Sequence, residues 1–146
     1  MIEDQRASTK TLPPDYLEEF KHGGSALMTR KLYKLFLEDS DMFGRLDGQF
    51  IISKDSMDEL LDSANGNIQY IQDQLGVEGW EGQNLVRIDI SNVFDYSPRI
   101  PDSSLSGANE KFMPGGETQG GFKELVIDPV EKSRVKITEI KMRLYN

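Results

Sequence analysis

Three short stretches carry residue types able to do chemistry. In FMPGGETQGGFKELVIDP (112–129), four glycines and a proline between positions 114 and 121 run into an apolar segment headed by Glu124. Glycine loses more freedom on folding than any other residue, so such a cluster is expected where the backbone needs a positive φ or a close approach. The stretch reads as a turn at least. Consecutive amides there, those of Gly120 and Gly121 among them, could also form an anion-binding nest. No Gly-Lys-Ser/Thr closes it and a strand follows it, so it is neither a Walker loop nor the glycine motif of dinucleotide folds. Glu124 itself is a carboxylate at the start of a strand, beside a loop, where it can reach a cleft or simply decorate an edge. GRLDGQF (44–50) places Arg45 two residues before Asp47, between two glycines. A guanidinium there can take phosphate or carboxylate with both arms of its fork, or close a surface turn onto Asp47.

Composition removes most other chemistries. The chain has no cysteine and a single histidine, His22, so thiolate nucleophiles, Cys-ligated metals, Ser-His-Asp triads and two-His metal sites are all excluded. His22, beside Gly23 and Gly24, reads as an exposed loop residue. What remains is carboxylates, arginines, hydroxyls and amides. Seventeen basic against 25 acidic residues give a net charge of −8, which disfavours non-specific nucleic-acid binding. No apolar run approaches the roughly 20 residues of a membrane span, and no membrane association is expected.

The elements that must position these residues are legible in part. Residues 1–14 are polar, aperiodic and end in two prolines, and read as a flexible leader or linker before a single domain, 15–146. DYLEEFKHGG predicts one or two helical turns capped by Asp15. The spacing of Leu27, Leu32, Leu35 and Phe36 predicts a helix from Ser25 or Met28 to about Glu38, with its basic residues on the solvated face. QFII reads as a strand, and Ser53 or Asp55 as the cap of a following helix that ends at ANGN. Ile68, Ile71 and Leu75 give another helix, stopped by Gly76. NLVRIDIS alternates like a strand, residues 92–120 form a long excursion, and FKELVIDP and RVKITEIKMRLY are two late strands joined by the turn DPVEKS. The expected fold is α+β, with N-terminal helices packed on a small mixed or antiparallel sheet.

Taken in order, the early arginine, the hydroxyl-bearing segment FIISKDS and the glutamate on a late strand resemble the layout of the ADP-ribosyltransferase-like superfamily. The segments GR-x-DG-x-F, LVRID and GAN-x-x-F-x-x-GG-x-T-x-GG-x-x-E further resemble C-terminal toxin domains of bacterial polymorphic toxins of the Rhs and contact-dependent type, over residues 23–140, roughly four fifths of the chain.

That resemblance implies an ADP-ribosyltransferase-like fold and an NAD-consuming toxin. Glu124 would be the catalytic glutamate and Arg45 the residue that holds the phosphates or the nicotinamide ribose, with Arg30 or Arg87 able to take its place. Asp47, Phe50, Ser53 or Ser56, Gly120 and Gly121 would line the NAD site. Cleaving a glycosidic bond to a cationic leaving group needs a negative charge where positive charge develops, and neither histidine nor metal. The chain departs from the family in lacking Ser-Thr-Ser after the strand, where it has Ile52-Ser53-Lys54, and in having Phe122 two residues before Glu124. A glycohydrolase, with water as acceptor, or an unusual transferase fits these departures best. The resemblance further implies delivery into a target-cell cytoplasm as the tail of a larger protein, and a cognate immunity protein as partner. The alternatives are a metal-independent RNase toxin using Arg45, Arg87, Arg99 and Glu124, and a non-enzymatic interaction domain.

Overall fold

A computed structural model describes residues 12–46, 48–101 and 117–142. Asp47 and the GAN and Phe112 part of the long excursion therefore lie outside the described residues. The element order is α1 (Pro14–Glu19), β1 (Gly24–Thr29), α2 (Arg30–Phe36), β2 (Met42–Phe43), β3 (Gln49–Ser53), α3 (Lys54–Ala64), α4 (Ile68–Leu75), β4 (Leu85–Ile90), β5 (Glu124–Ile127), β6 (Val130–Glu131) and β7 (Val135–Ile140). Five strands form one antiparallel sheet in the order β5-β3-β1-β4-β7, and β2 pairs with β6 in a separate ribbon. The α+β expectation holds, with the sheet antiparallel.

Both faces of this sheet are covered. On one, Tyr16 from α1, Phe20 just after it, and Phe43 and Val130 from the ribbon pack against Ala26, Ile51, Ile88, Ile90, Leu125 and Ile127. On the other, Met57, Leu60 and Ala64 of α3 and Ile71 of α4 pack against Ile52 and Leu85. Burial of this kind is the main stabilising term, at about 25 cal/mol per Å² of apolar surface. Leu12 is also buried in the first cluster, so the core begins within the stretch that reads as a leader.

Several local signals work as their chemistry dictates. Ser53 caps α3, its hydroxyl accepting from the Ser56 amide at 2.9 Å. Asn65 and Gly76 end α3 and α4 in the left-handed conformation, and Asn67 caps α4. At α1, Pro13 rather than Asp15 occupies the cap position, and Asp15 falls in the first turn, near the positive end of the helix.

Two expectations are corrected. The helix predicted from Ser25 or Met28 begins only at Arg30, because residues 24–29 form β1, the central strand. A strand covered on both faces shows no alternation, and its apolar run cannot be told from a helix by period. The boundary is set by Thr29, whose side chain accepts from the Leu32 amide at 3.2 Å and caps α2. As a result Leu32, Leu35 and Phe36 are exposed rather than in the core. Secondly, β5 and β7 are not hairpin neighbours joined by DPVEKS but the two opposite edges of the sheet. Residues 128–134 cross from one edge to the other, leaving β6 on the way to pair with β2.

Candidate functional site

Glu124 opens β5 and stands opposite Ile52 on β3, which stands opposite Ser25 on β1, which stands opposite Asp89 on β4. Directly opposed residues of antiparallel strands share a face, so these four form one row on the side covered by α3 and α4. Lys123, one residue earlier, points the other way. Its ammonium lies 5.8 Å from the centre of the Tyr16 ring and 3.7 Å from an Asp15 carboxyl oxygen.

The β1–β3 ladder is only two pairs long, Gly24 with Ser53 and Ser25 with Ile52. Beyond Ser25 the strands diverge, and a cavity of about 130 Å³ opens between them, lined by Ser25, Leu27, Phe50, Ile52, Met57, Leu75, Trp80 and Glu124. Burial pushes the Glu124 carboxyl up to about 7, because a carboxylate loses hydration there. Burial, then the Glu117, Asp15 and Glu124 carboxyls, also push the Tyr16 phenol above its ordinary value. Ser25 is fully buried, and its hydroxyl finds no hydrogen-bond partner among the described residues. A buried hydroxyl without a partner costs about 1–3 kcal/mol, so its presence in the cavity that Glu124 also lines marks this place.

Trp80 reaches the cavity from the loop after α4. Gln72, buried within α4, accepts from the Trp80 amide at 2.8 Å and donates to the Glu81 carboxylate at 3.2 Å, and so clamps that loop. The glycine turn before β5 supports the same corner. The Gly120 amide donates to the Gln74 carbonyl at 2.8 Å, and the Gln119 side chain to the Asp73 carbonyl at 3.0 Å. Gly121 has φ +87 and donates to the Thr118 carbonyl. A Cβ at Gly120 would come within 2.9 Å of the Gln74 Cα. Gly120 thus supplies close approach and Gly121 a positive φ: the turn caps the negative end of α4, and the amides of Gly120 and Gly121 are spent on carbonyls.

A second, larger hollow of about 580 Å³ lies at the other end of the divergence, lined by Met28, Leu32, Phe36, Met42, Arg45 and Leu46 among others. Gln49 borders both hollows. Arg45 therefore does not line the cavity of Glu124, and the two stand toward opposite ends of β3. Phe50 does line that cavity. Ser53 does not: its hydroxyl is committed to the α3 amide and to Glu19, which also accepts from Ser56 at 2.8 Å. Arg30 pairs with Glu139, Arg87 with Asp58 at 2.6 Å and Asp89 at 2.9 Å, and Arg99 with Asp128 at 2.8 Å. His22 is exposed, its Nδ1 2.8 Å from an Asp55 oxygen.

Ser25 and Trp80 were not among the sequence candidates. The available signals were a hydroxyl following Gly23-Gly24 at the head of an apolar run, and the chain's one tryptophan between glycines. Among the described residues no group of three or more His, Asp or Glu could hold a metal, and no helix is long and apolar enough to cross a membrane. A scan against family models and searches of curated proteins and of solved structures find no match.

Proposed function

We propose that the chain is an NAD-consuming toxin domain of ADP-ribosyltransferase-like type, acting as an NAD glycohydrolase or an ADP-ribosyltransferase with Glu124 at its centre. The observation that carries the reading is Glu124 itself, an ionisable carboxyl in a ring-lined cavity where two strands part. A cavity of about 130 Å³ admits one ring and not a dinucleotide, since whole small-molecule sites run to about 300–1,000 Å³. Nicotinamide would sit between Trp80 and Phe50, its amide toward the Ser25 hydroxyl. The rest of the dinucleotide would follow the divergence past Gln49 toward Arg45.

The cationic nicotinamide-ribose unit favours the ionised form of Glu124, so substrate entry would draw off the proton that burial retains. The carboxylate would then face the carbon where positive charge develops as the glycosidic bond breaks. With Phe122 two residues before Glu124 and partly buried, water is the favoured acceptor. The toxin role, delivery as part of a larger protein and an immunity partner rest on the resemblance of the glycine-rich and arginine motifs. The RNase reading is weaker, because Arg87 and Arg99 are each tied to carboxylates and do not converge on Glu124.

The test is release of nicotinamide from NAD by the purified chain and by Glu124→Ala, with RNA as a parallel substrate. Release that the variant loses supports the reading. No release, with or without cell lysate as a source of acceptor, overturns it.

A further inference from the structure

Helix α4 buries a polar side chain where an apolar one would serve. Ile68, Ile71 and Leu75 follow the helical spacing of an inward face, and Gln72, 2% exposed, falls on that face with them. Burying a primary amide costs stability unless both of its ends find partners. Those of Gln72 do, and both partners lie in the loop after α4. Its oxygen accepts from the Trp80 amide at 2.8 Å and its nitrogen donates to the Glu81 carboxylate at 3.2 Å. Chemistry fixes this orientation, because the amide turned over would set donor against donor and acceptor against acceptor. The Gln72 backbone carbonyl holds the start of the same loop, accepting from the amides of Gly76 and Val77 at 2.8 and 3.1 Å.

Between the anchored points Val77 and Trp80 the chain passes through Gly79, which has φ +84 and open space where a Cβ would stand. Beyond them, Trp80 to Gln83 form a tight turn. The Gln83 amide closes it on the Trp80 carbonyl at 3.0 Å, with Gly82 at φ +74 in the third position, as such a turn requires. Trp80 therefore heads a compact turn that the Gln72 side chain ties to α4. Val77 and Trp80 both line the cavity of Glu124, and Gln72 does not.

We infer that Gln72 is the positioning residue of this cavity: its side chain sets Trp80 in the wall, and so sets how tightly a planar ring is held beside Glu124. It acts only through Trp80. The ring used as a probe, nicotinamide, rests on the NAD reading, whereas the placement of Trp80 does not.

Gln72→Glu keeps the shape of the side chain and an acceptor for the Trp80 amide, but sets a carboxylate against Glu81. Adding Glu81→Gln restores one donor and one acceptor with their places exchanged. Trp80 is the chain's one tryptophan, so acrylamide quenching of the fluorescence reports its exposure alone. Gln72→Glu should raise the quenching constant at least about twofold and weaken nicotinamide binding about tenfold. It should raise KM for NAD by a similar factor and leave kcat within about twofold, the pattern of lost uniform binding. The double variant should return each value to within about twofold of the parent. Glu81→Ala, at an exposed position and so compatible with folding, should weaken nicotinamide binding about threefold and raise quenching in the same direction. Three outcomes overturn the inference. The first is quenching and nicotinamide affinity unchanged in Gln72→Glu, even with a lower melting temperature, or unchanged in Glu81→Ala where Gln72→Glu does not fold. The second is no recovery in the double variant, and the third is a fall in kcat with KM unmoved. A parent chain that neither binds nicotinamide nor releases it from NAD overturns the NAD reading instead, and quenching in the single and double variants still decides the placement of Trp80.

Discussion

Ser25 and Glu124 stand opposite the same residue, Ile52, from the strands on either side of β3. Two strand spacings of about 4.8 Å put their backbones about 10 Å apart, on one face of the sheet. A hydroxyl without a partner and a carboxyl reluctant to ionise thus bracket a cavity into which Trp80 is also clamped. Each of these groups costs stability where it stands.

Glu124 should make stability fall as pH rises. Its carboxyl ionises near 4.5 in the unfolded chain and near 7 in the folded one. Below the first value both states hold the proton; between the two the unfolded chain releases it while the folded chain keeps it. The contribution present in acid is therefore lost as pH rises through about 7. Glu124→Gln should be more stable than the parent at pH 8 by on the order of 2 kcal/mol, and indistinguishable at pH 4. Urea melts at the two pH values decide this, and an equal effect at both would rule it out.

The same ionisation should govern turnover on the NAD reading. Nicotinamide release at low substrate concentration should climb with pH through about 7, as the carboxylate form appears. Glu124→Gln should reduce it by about 100-fold or more and flatten the profile. A profile unchanged in the variant would remove Glu124 from the chemistry.

Ser25→Ala should stabilise the protein by about 1 kcal/mol, since it deletes a buried hydroxyl that lacks a partner. Equilibrium unfolding measures this, and nicotinamide release should fall in the same variant. A loss of stability would mean that the hydroxyl is satisfied in the folded protein.

Ser53→Ala separates structure from chemistry. It removes the α3 cap and one of the two serine donors to Glu19, at a cost of about 1–2 kcal/mol. Because Ser53 does not line the cavity, the folded variant should keep its turnover. A turnover loss at temperatures well below its melting transition would restore the role that the family resemblance implies for it.

Gly120→Ala should lower the melting temperature, because the added Cβ meets the backbone of Gln74 and lifts the turn off the end of α4. Overpacking of this kind costs about 1–3 kcal/mol. Thermal unfolding followed by Trp80 fluorescence reads both the loss and the displacement of the neighbouring loop.

Local signals in the sequence carried most of the elements. Ser53, Asn65, Asn67 and Gly76 punctuate α3 and α4 through side-chain capping and left-handed backbone, which are properties of single residues. The alternation around Arg87 and Asp89 was equally plain. The central strand was hidden because both its faces are covered, and burial erases the period that identifies a strand. Its loss from the reading also turned Leu32, Leu35 and Phe36 from surface into expected core. Sheet order was illegible for a different reason: β5 and β7 are close in sequence, and nothing local says that a short crossing segment separates them. Glu124 was found as a carboxylate at a strand head. Ser25 could not be, since its significance lies in what the fold places around it.

The two-rung join between β1 and β3 has a mechanical consequence. It divides the large sheet into two panels, β5 with β3 and β1 with β4 and β7. In chain order the strands alternate between panels, so the backbone passes over the join four times. The repeated crossings, and the apolar cluster that joins Ile51 and Leu125 to Ala26 and Ile88 across it, stitch the panels together. Hydrogen exchange should therefore find the amides beside the join more labile than those deep in the β1–β4 and β4–β7 ladders.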